Sequence, residues 1–311
     1  MTDVWPELRW ASWEQTARTL HMWMQVVGKI RLASSPMINH WWNVPLYVTA
    51  RGLTTSPMYH GVRIFEITFD FIDHLLRIET SEGDDRSVQL APRTVADFYS
   101  ELMATLNEMG LATAILARPV EVVEAIPFQD DLLHRSYDPA SAQRFWRVLL
   151  QATRVLTDFR SRFLGKVSPI HFFWGSFDLA VTRFSGRPAP AHPGGVPNLS
   201  DWVVREAYSH EVSSCGFWPG GEGADAVFYA YSYPEPPGFP EARVRPDAAE
   251  YNRELREFVL PYDAMRRSAQ PDQALLDFAR STYDAASTLG NWDRAALLEI
   301  KPDLHSRRQH Q

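Results

Sequence analysis

Cysteine is almost absent from this chain: Cys215 is the only one among 311 residues. No intrachain disulfide can form, and a thiolate zinc cluster cannot be assembled within one chain, so a reducing, cytoplasmic setting fits best. Long apolar runs are missing too, with nothing approaching the ~18 uninterrupted residues of a membrane span. The opening MTDVWPELRW carries acidic and aromatic residues where a signal peptide needs a basic start and an apolar stretch. Positive charge is in short supply: the formal net charge of -7 leaves no global field to attract phosphate backbones. Neither nucleic acid nor a membrane is therefore expected as a partner. The sequence also lacks a G-x-S-x-G elbow, a phosphate loop, a G-x-G-x-x-G fingerprint and HExxH, HxH or EF-hand spacing. The cofactor is left open by these patterns.

What the chain has in abundance is aromatic residues, including eleven tryptophans. Many sit beside polar groups, as in His40-Trp41-Trp42-Asn43 and His171-Phe172-Phe173-Trp174-Gly175-Ser176. Such rings build either a well-packed core or the walls of a small-molecule pocket. Trp13, Ala17, Leu20, Met24 and Val27 form one amphipathic helical stripe, which Gly28 can end. Phe145, Leu149, Ala152, Leu156, Phe159 and Phe163 form a second, with Gly165 as a left-handed cap. Phe65, Ile67, Phe69 and Phe71 alternate with polar residues, the period of a half-buried strand. Further strands are expected at Leu75 to Glu79, Leu179 to Phe184, Ala207 to Ser213 and Val227 to Tyr233. Helices are expected from Val95 to Gly110 and from Leu275 to Ala286.

The segments after the first two helices share an order of residues. Lys29 matches Lys166, Ser35-Pro36 matches Ser168-Pro169, His40 matches His171, Leu46 matches Leu179 and Val48-Thr49 matches Val181-Thr182. This points to duplication and to an α+β fold of two pseudo-symmetric lobes, each helix, antiparallel strands, helix, sharing one core. The lobes are expected at residues 1–126 and 139–311, joined by a connector at 127–138. The stretches GKVSPIHFFWGSFDLAVTRFSGRPAP, EAYSHEVSSCGFWPGG and YAYSYPEPPGF, with TLHMWMQVVGKIRL and NHWWNVPLYVTARGLTTSP, resemble those of a bacterial family known only as a domain of unknown function. The resemblance implies a single unit and brings no activity, substrate or cofactor with it.

Candidate chemistry concentrates in the second half. In Glu206-Ala207-Tyr208-Ser209-His210-Glu211, read as a strand, Glu206, Tyr208 and His210 share a face, so Glu206 can orient His210 as a general acid or base. A structural hydrogen-bonded pair is the alternative. His171 lies among Lys166, Trp174, Ser176 and Asp178, and either acts in a cleft or caps a strand. Lys29, Arg31, Arg51, Lys166, Arg183 and Arg187 fall within or directly after the repeated motif and either bind a small anionic ligand or pair internally with Asp70, Asp73, Asp178 or Glu211. His171, His210 and Glu211, or Asp131 and His134, are conceivable metal ligands without a recognised spacing. Cys215 is either a nucleophile or an ordinary buried thiol. The functional expectation is an enzyme acting on a small polar or anionic metabolite by histidine acid/base chemistry, with a non-catalytic small-molecule binder or a metal-dependent enzyme as alternatives.

Overall fold

The computed structural model describes residues 4–298. The fold is α+β, with two antiparallel six-stranded sheets and seven α-helices among the described residues. Helix α1 (Trp10–Ala33) precedes β1 (Tyr47–Val48), β2 (Gly52–Thr54), β3 (Met58–His60), β4 (Arg63–Asp70), β5 (Leu75–Thr80) and β6 (Asp85–Gln89), then α2 (Val95–Glu108). Helix α3 (Pro139–Arg160) opens the second half. It is followed by β7 (His171–Phe173), β8 (Asp178–Pro188), α4 (Asp201–Ala207), β9 (His210–Trp218), β10 (Val227–Tyr233), β11 (Glu250–Asn252), β12 (Glu257–Pro261), α5 (Tyr262–Arg266), α6 (Pro271–Leu289) and α7 (Arg294–Leu297). The first sheet runs β1-β2-β4-β5-β6 with β3 beside β4; the second runs β11-β12-β10-β9-β8-β7.

The sheets meet edge to edge. Just before β1, Leu46 exchanges both backbone hydrogen bonds with Phe172 of β7, each 2.9 Å long. Buried apolar side chains from both halves form one continuous cluster. Each half contains a leading helix, six strands and a later helix, but the residue-by-residue correspondence between them breaks down. Helix α1 does not stop at Gly28; it continues to Ala33, leaving Lys29 buried inside it. Gly28 serves close approach instead, since a Cβ there would lie 2.2 Å from the Trp174 indole. Helix α3 ends at Arg160, so Gly165 is not its cap. His40 lies in a one-turn 3-10 helix, Asn39–Trp41, whereas His171 is in a strand. These two histidines do not occupy matching places.

Local chemistry sets the boundaries. Asp138 accepts a bond from the Ser141 amide at 2.9 Å and Pro139 supplies a fixed φ, so α3 starts where the connector ends. Thr94 caps α2 through the Asp97 amide. Helix α1 has no such local cap; the Asp225 carboxylate, from the second half, accepts the Trp10 amide at 2.8 Å. The preceding segment is held from the same side, by Trp5 donating to Asp272 at 3.0 Å and the Tyr262 hydroxyl donating to the Pro6 carbonyl at 2.7 Å. No described helix is long and apolar enough to cross a membrane.

Asp70, fully buried at the end of β4, accepts from Arg51 at 2.7 Å and Arg77 at 3.0 Å, and from the amides of Ile72 and Asp73. Burial pushes its carboxyl up, but the Arg51 bond with these others outweighs burial and holds it at about 2. Because the ordinary aspartate value is ~3.9, this stabilisation is complete above pH ~4 and disappears as pH falls toward 2. Asp70→Asn is expected to lose about 1–2 kcal/mol at neutral pH, the lower figure allowing for water around the half-exposed Arg51, and to flatten the acid side of the stability curve. Denaturant melts between pH ~2 and ~7 read this, and an acid limb as steep as the parent's would reject it.

Candidate functional site

The second sheet has two chemically different faces. Alternation along the strands puts Phe172, Leu179, Val181, Cys215, Phe217, Phe228 and Leu260 on the face under α3 and α6. The opposite face carries His171, Asp178, Ala180, Thr182, Phe184, Ser214, Gly216, Tyr229, Tyr231 and Glu257, most of them polar or small. Two irregular segments cross over its margin. They are tied together where the Glu121 amide donates to the Pro197 carbonyl at 2.9 Å and the Asn198 amide nitrogen to the Val122 carbonyl at 2.6 Å. Gln25 of α1 fixes the first segment by bonding both the carbonyl and the amide of Val120.

Tyr229 lies across Gly216, where a Cβ would fall 2.4 Å from the phenol, and its hydroxyl donates to Asp178. Ser176 donates to the other Asp178 oxygen. Beside this pair lie two bonded hydroxyl pairs, Thr182 with Ser214 at 3.0 Å and Tyr231 with Tyr208 at 2.9 Å, and Ser214 and Tyr231 are cross-strand partners. Burial raises all three phenols, so they remain protonated donors at neutral pH. Burial also raises Asp178. Burial, reinforced by the Asp178 charge, pushes both Glu121 and Glu257 up to about 7. Gly175 makes room for Glu121, since a Cβ there would sit 1.9 Å from its Oε1. The face therefore holds carboxyls that exchange protons near neutrality, amid neutral hydroxyl donors.

The expected site residues separate into groups. Asp178, Ser176 and Tyr208 join this face. Trp174 instead packs on Gly28 and donates to the Val44 carbonyl at 2.9 Å. Glu206 is not in a strand; it belongs to α4, because Ser200 and Asp201 open a helical turn that closes at Tyr208. Glu206, His210 and Lys166 surround His40: Glu206 accepts the His40 amide at 3.3 Å, the His210 ring centre is 5.4 Å away, and the Lys166 charge lies close. His171 stands on the far side of Trp42, 1% exposed, and burial with the Arg31 and Arg160 charges pushes its imidazole down to about 3. A neutral imidazole of that acidity is a poor proton carrier at pH ~7.

Arg183 points to the opposite face, against Phe159, Phe163 and Tyr283, so it cannot serve a ligand beside His171. Arg187 pairs with Glu211 at 2.6 Å and with the carbonyls of Gly290 and Asn291, so both are occupied by structure. Cys215 faces the core, where burial pushes its thiol up to about 12 and removes it as a nucleophile. His171, His210 and Glu211 do not converge; no group of three or more His, Cys, Asp or Glu among the described residues is arranged to hold a metal ion. Asp131 and His134 bond each other at 2.7 Å within the connector. Two shallow surface clefts, of ≈ 520 and ≈ 580 Å³, lie beside α2, and no candidate residue lines either.

The chain matches the model of a family of unknown function (DUF5996) over residues 5–299. It belongs to that family. Nothing among the curated proteins and nothing among the solved structures matches it. The geometry of the face must therefore carry the functional argument. Glu121 and Glu257 escaped the sequence reading because neither sits in a motif. The one available signal was Val227-Phe228-Tyr229-Ala230-Tyr231-Ser232-Tyr233, whose period of two lines tyrosines along one face.

Glutamates held near 7 when folded but at ~4.3 when unfolded favour the folded state most below pH ~4, and that contribution declines as pH rises through ~7. The protein is thus expected to be more stable near pH ~5 than near pH ~8, with Glu121→Gln and Glu257→Gln each removing on the order of 1–3 kcal/mol of that difference. Thermal melts of the double variant that keep the parent's full pH dependence would rule this out.

Proposed function

We propose that this protein is an enzyme that moves protons on a small polar metabolite at the tyrosine–carboxyl face of the second sheet. The observation that carries this reading is Glu121, a partly buried carboxyl held near neutrality beside Asp178. A group whose acidity matches the working pH is both adequately populated and adequately strong in either direction of proton transfer. Asp178, bonded by Tyr229 and Ser176, keeps its orientation and opposes ionisation of Glu121. The Tyr208–Tyr231 pair, in which one hydroxyl donates to the other, leaves one hydroxyl hydrogen to donate to an oxygen on which negative charge develops. The acid/base role expected of histidine passes to Glu121, while His210 and Glu206 flank the face near His40.

Incubating the full chain with a library of small polar metabolites and following each by mass spectrometry tests the proposal. One or a few compounds should be consumed, and Glu121→Gln should lower that turnover by about 10²-fold or more with its native circular dichroism spectrum retained. Compounds that bind but persist unchanged would make the protein a binder rather than an enzyme. Turnover indifferent to Glu121→Gln would remove the carboxyl from the mechanism.

A further inference from the structure

We infer that the metabolite handled on the tyrosine–carboxyl face carries an oxyanion, a carboxylate or phosphate group, which docks against Arg31 and His171 at the seam between the sheets. This rests on the reading of that face as the reacting site. Arg31 projects from the last turn of α1 and is 6% exposed. Its Nε and Nη1 are buried without any hydrogen-bond partner; the Tyr47 side chain supplies a hydrogen bond and a ring 5.6 Å away. Glu66 lies close enough to be felt, yet makes no ion pair with Arg31 and is bonded by Thr54. A desolvated guanidinium without a counter-charge is strongly unfavourable. Arg51 and Arg77, by contrast, share Asp70 and Asp73, and Arg187 meets Glu211, while the other buried guanidinium, Arg183, donates to the Phe159 carbonyl and is covered by three rings.

The surroundings of Arg31 repeat the pattern. His171 also has a buried Nε2 with no partner, and its ring stands edge-on to Tyr47 at 5.6 Å and to Trp42 at 5.7 Å. Lys166 holds its ammonium over Trp42 and Phe184 at 5.0 and 4.9 Å. Arg31 and an imidazole with an unused nitrogen thus gather about one aromatic cluster, with the exposed Lys166 ammonium at its edge, and an oxyanion fills the unmet bonds of the first two. Register supplies the link to the reacting carboxyls. His171 pairs with Ala180 and Phe173 with Asp178, so His171 and Asp178 are diagonal neighbours on one face, about 7–8 Å apart between Cα atoms. A single small molecule spans that interval.

Calorimetric titration of the full chain with inorganic phosphate and, separately, with succinate provides the test, using sodium chloride as the ionic-strength control. At least one anion should bind saturably, and the tighter one identifies the group. Binding should weaken about 10-fold or more in Arg31→Met and about 3-fold in Lys166→Ala. If Arg31→Met does not fold, Arg31→Lys, which keeps the charge and loses the fork, takes its place and should show the same direction of change. The His171 Nε2 resonance should shift on addition of the anion. No saturable binding, parental binding in the folded Arg31 variant, or an unmoved His171 would overturn the inference. Absent anion binding together with Glu121-dependent turnover would sink this inference alone, whereas anion binding without any turnover would sink only the catalytic reading.

Discussion

The two hydrogen bonds exchanged by Leu46 and Phe172 are the constraint on which the arrangement depends. They join the edges of two sheets that otherwise belong to different halves of the chain. By fixing Phe172 toward the core, they fix His171 toward the other face, because neighbouring strand residues point oppositely. They also hold the stretch from His40 to Tyr47 beside β7, which places Trp42 between His40 and His171. His40 and Trp41 both take left-handed backbone angles there, φ 58° and 59°, an unfavourable conformation for residues with side chains. Long-range bonds keep them in place: His40 Nδ1 contacts the Ala207 carbonyl at 3.1 Å, and the Trp41 indole donates to Val203 at 2.9 Å.

Charge is distributed unequally around that joint. At one end of the polar face, acids crowd together and burial keeps them from ionising readily; at the other, Arg31 and Lys166 sit among rings and make no ion pair, with Glu66 and Glu206 only nearby. Both conditions are unfavourable in isolation, and a compact protein ordinarily removes them by mutual pairing. Here the acids gather at Asp178 of β8 and Lys166 lies over Phe184 of the same strand, with Ala180 and Thr182 between. That separation turns two local liabilities into a polarised surface, suited to a molecule with a negative end and a proton-exchanging end.

Much of this fold was legible from periodicity. Strand β4 follows its phenylalanine alternation, β10 coincides with its expected bounds, and α2, α3 and α6 follow their apolar stripes. The failures occur where distant contacts set local structure. Gly28 looks like a terminator in sequence, but its missing Cβ accommodates Trp174 from the other half, so α1 continues. Glu206 alternates plausibly with Tyr208 and His210, yet the turn opened at Ser200 makes it helical. Of the proposed site, Asp178, Ser176, Tyr208 and Lys166 stand out in sequence because the chemistry of their segments is dense. Glu121 was not: nothing near Val120-Glu121-Val122 reveals that Gly175 leaves a space for its carboxyl, or that Asp178 will lie beside it.

The tethering of the N-terminal segment bears on the order in which the molecule can be completed. Trp5, Pro6 and Trp10 are held by Asp272, Tyr262 and Asp225, partners more than 200 positions downstream. During synthesis those partners do not yet exist when the first helix leaves the ribosome. Its leading turn must then wait, uncapped and with its tryptophans in search of cover, until most of the chain has been made. Residues synthesised long before their partners are thus among the last to find their final place.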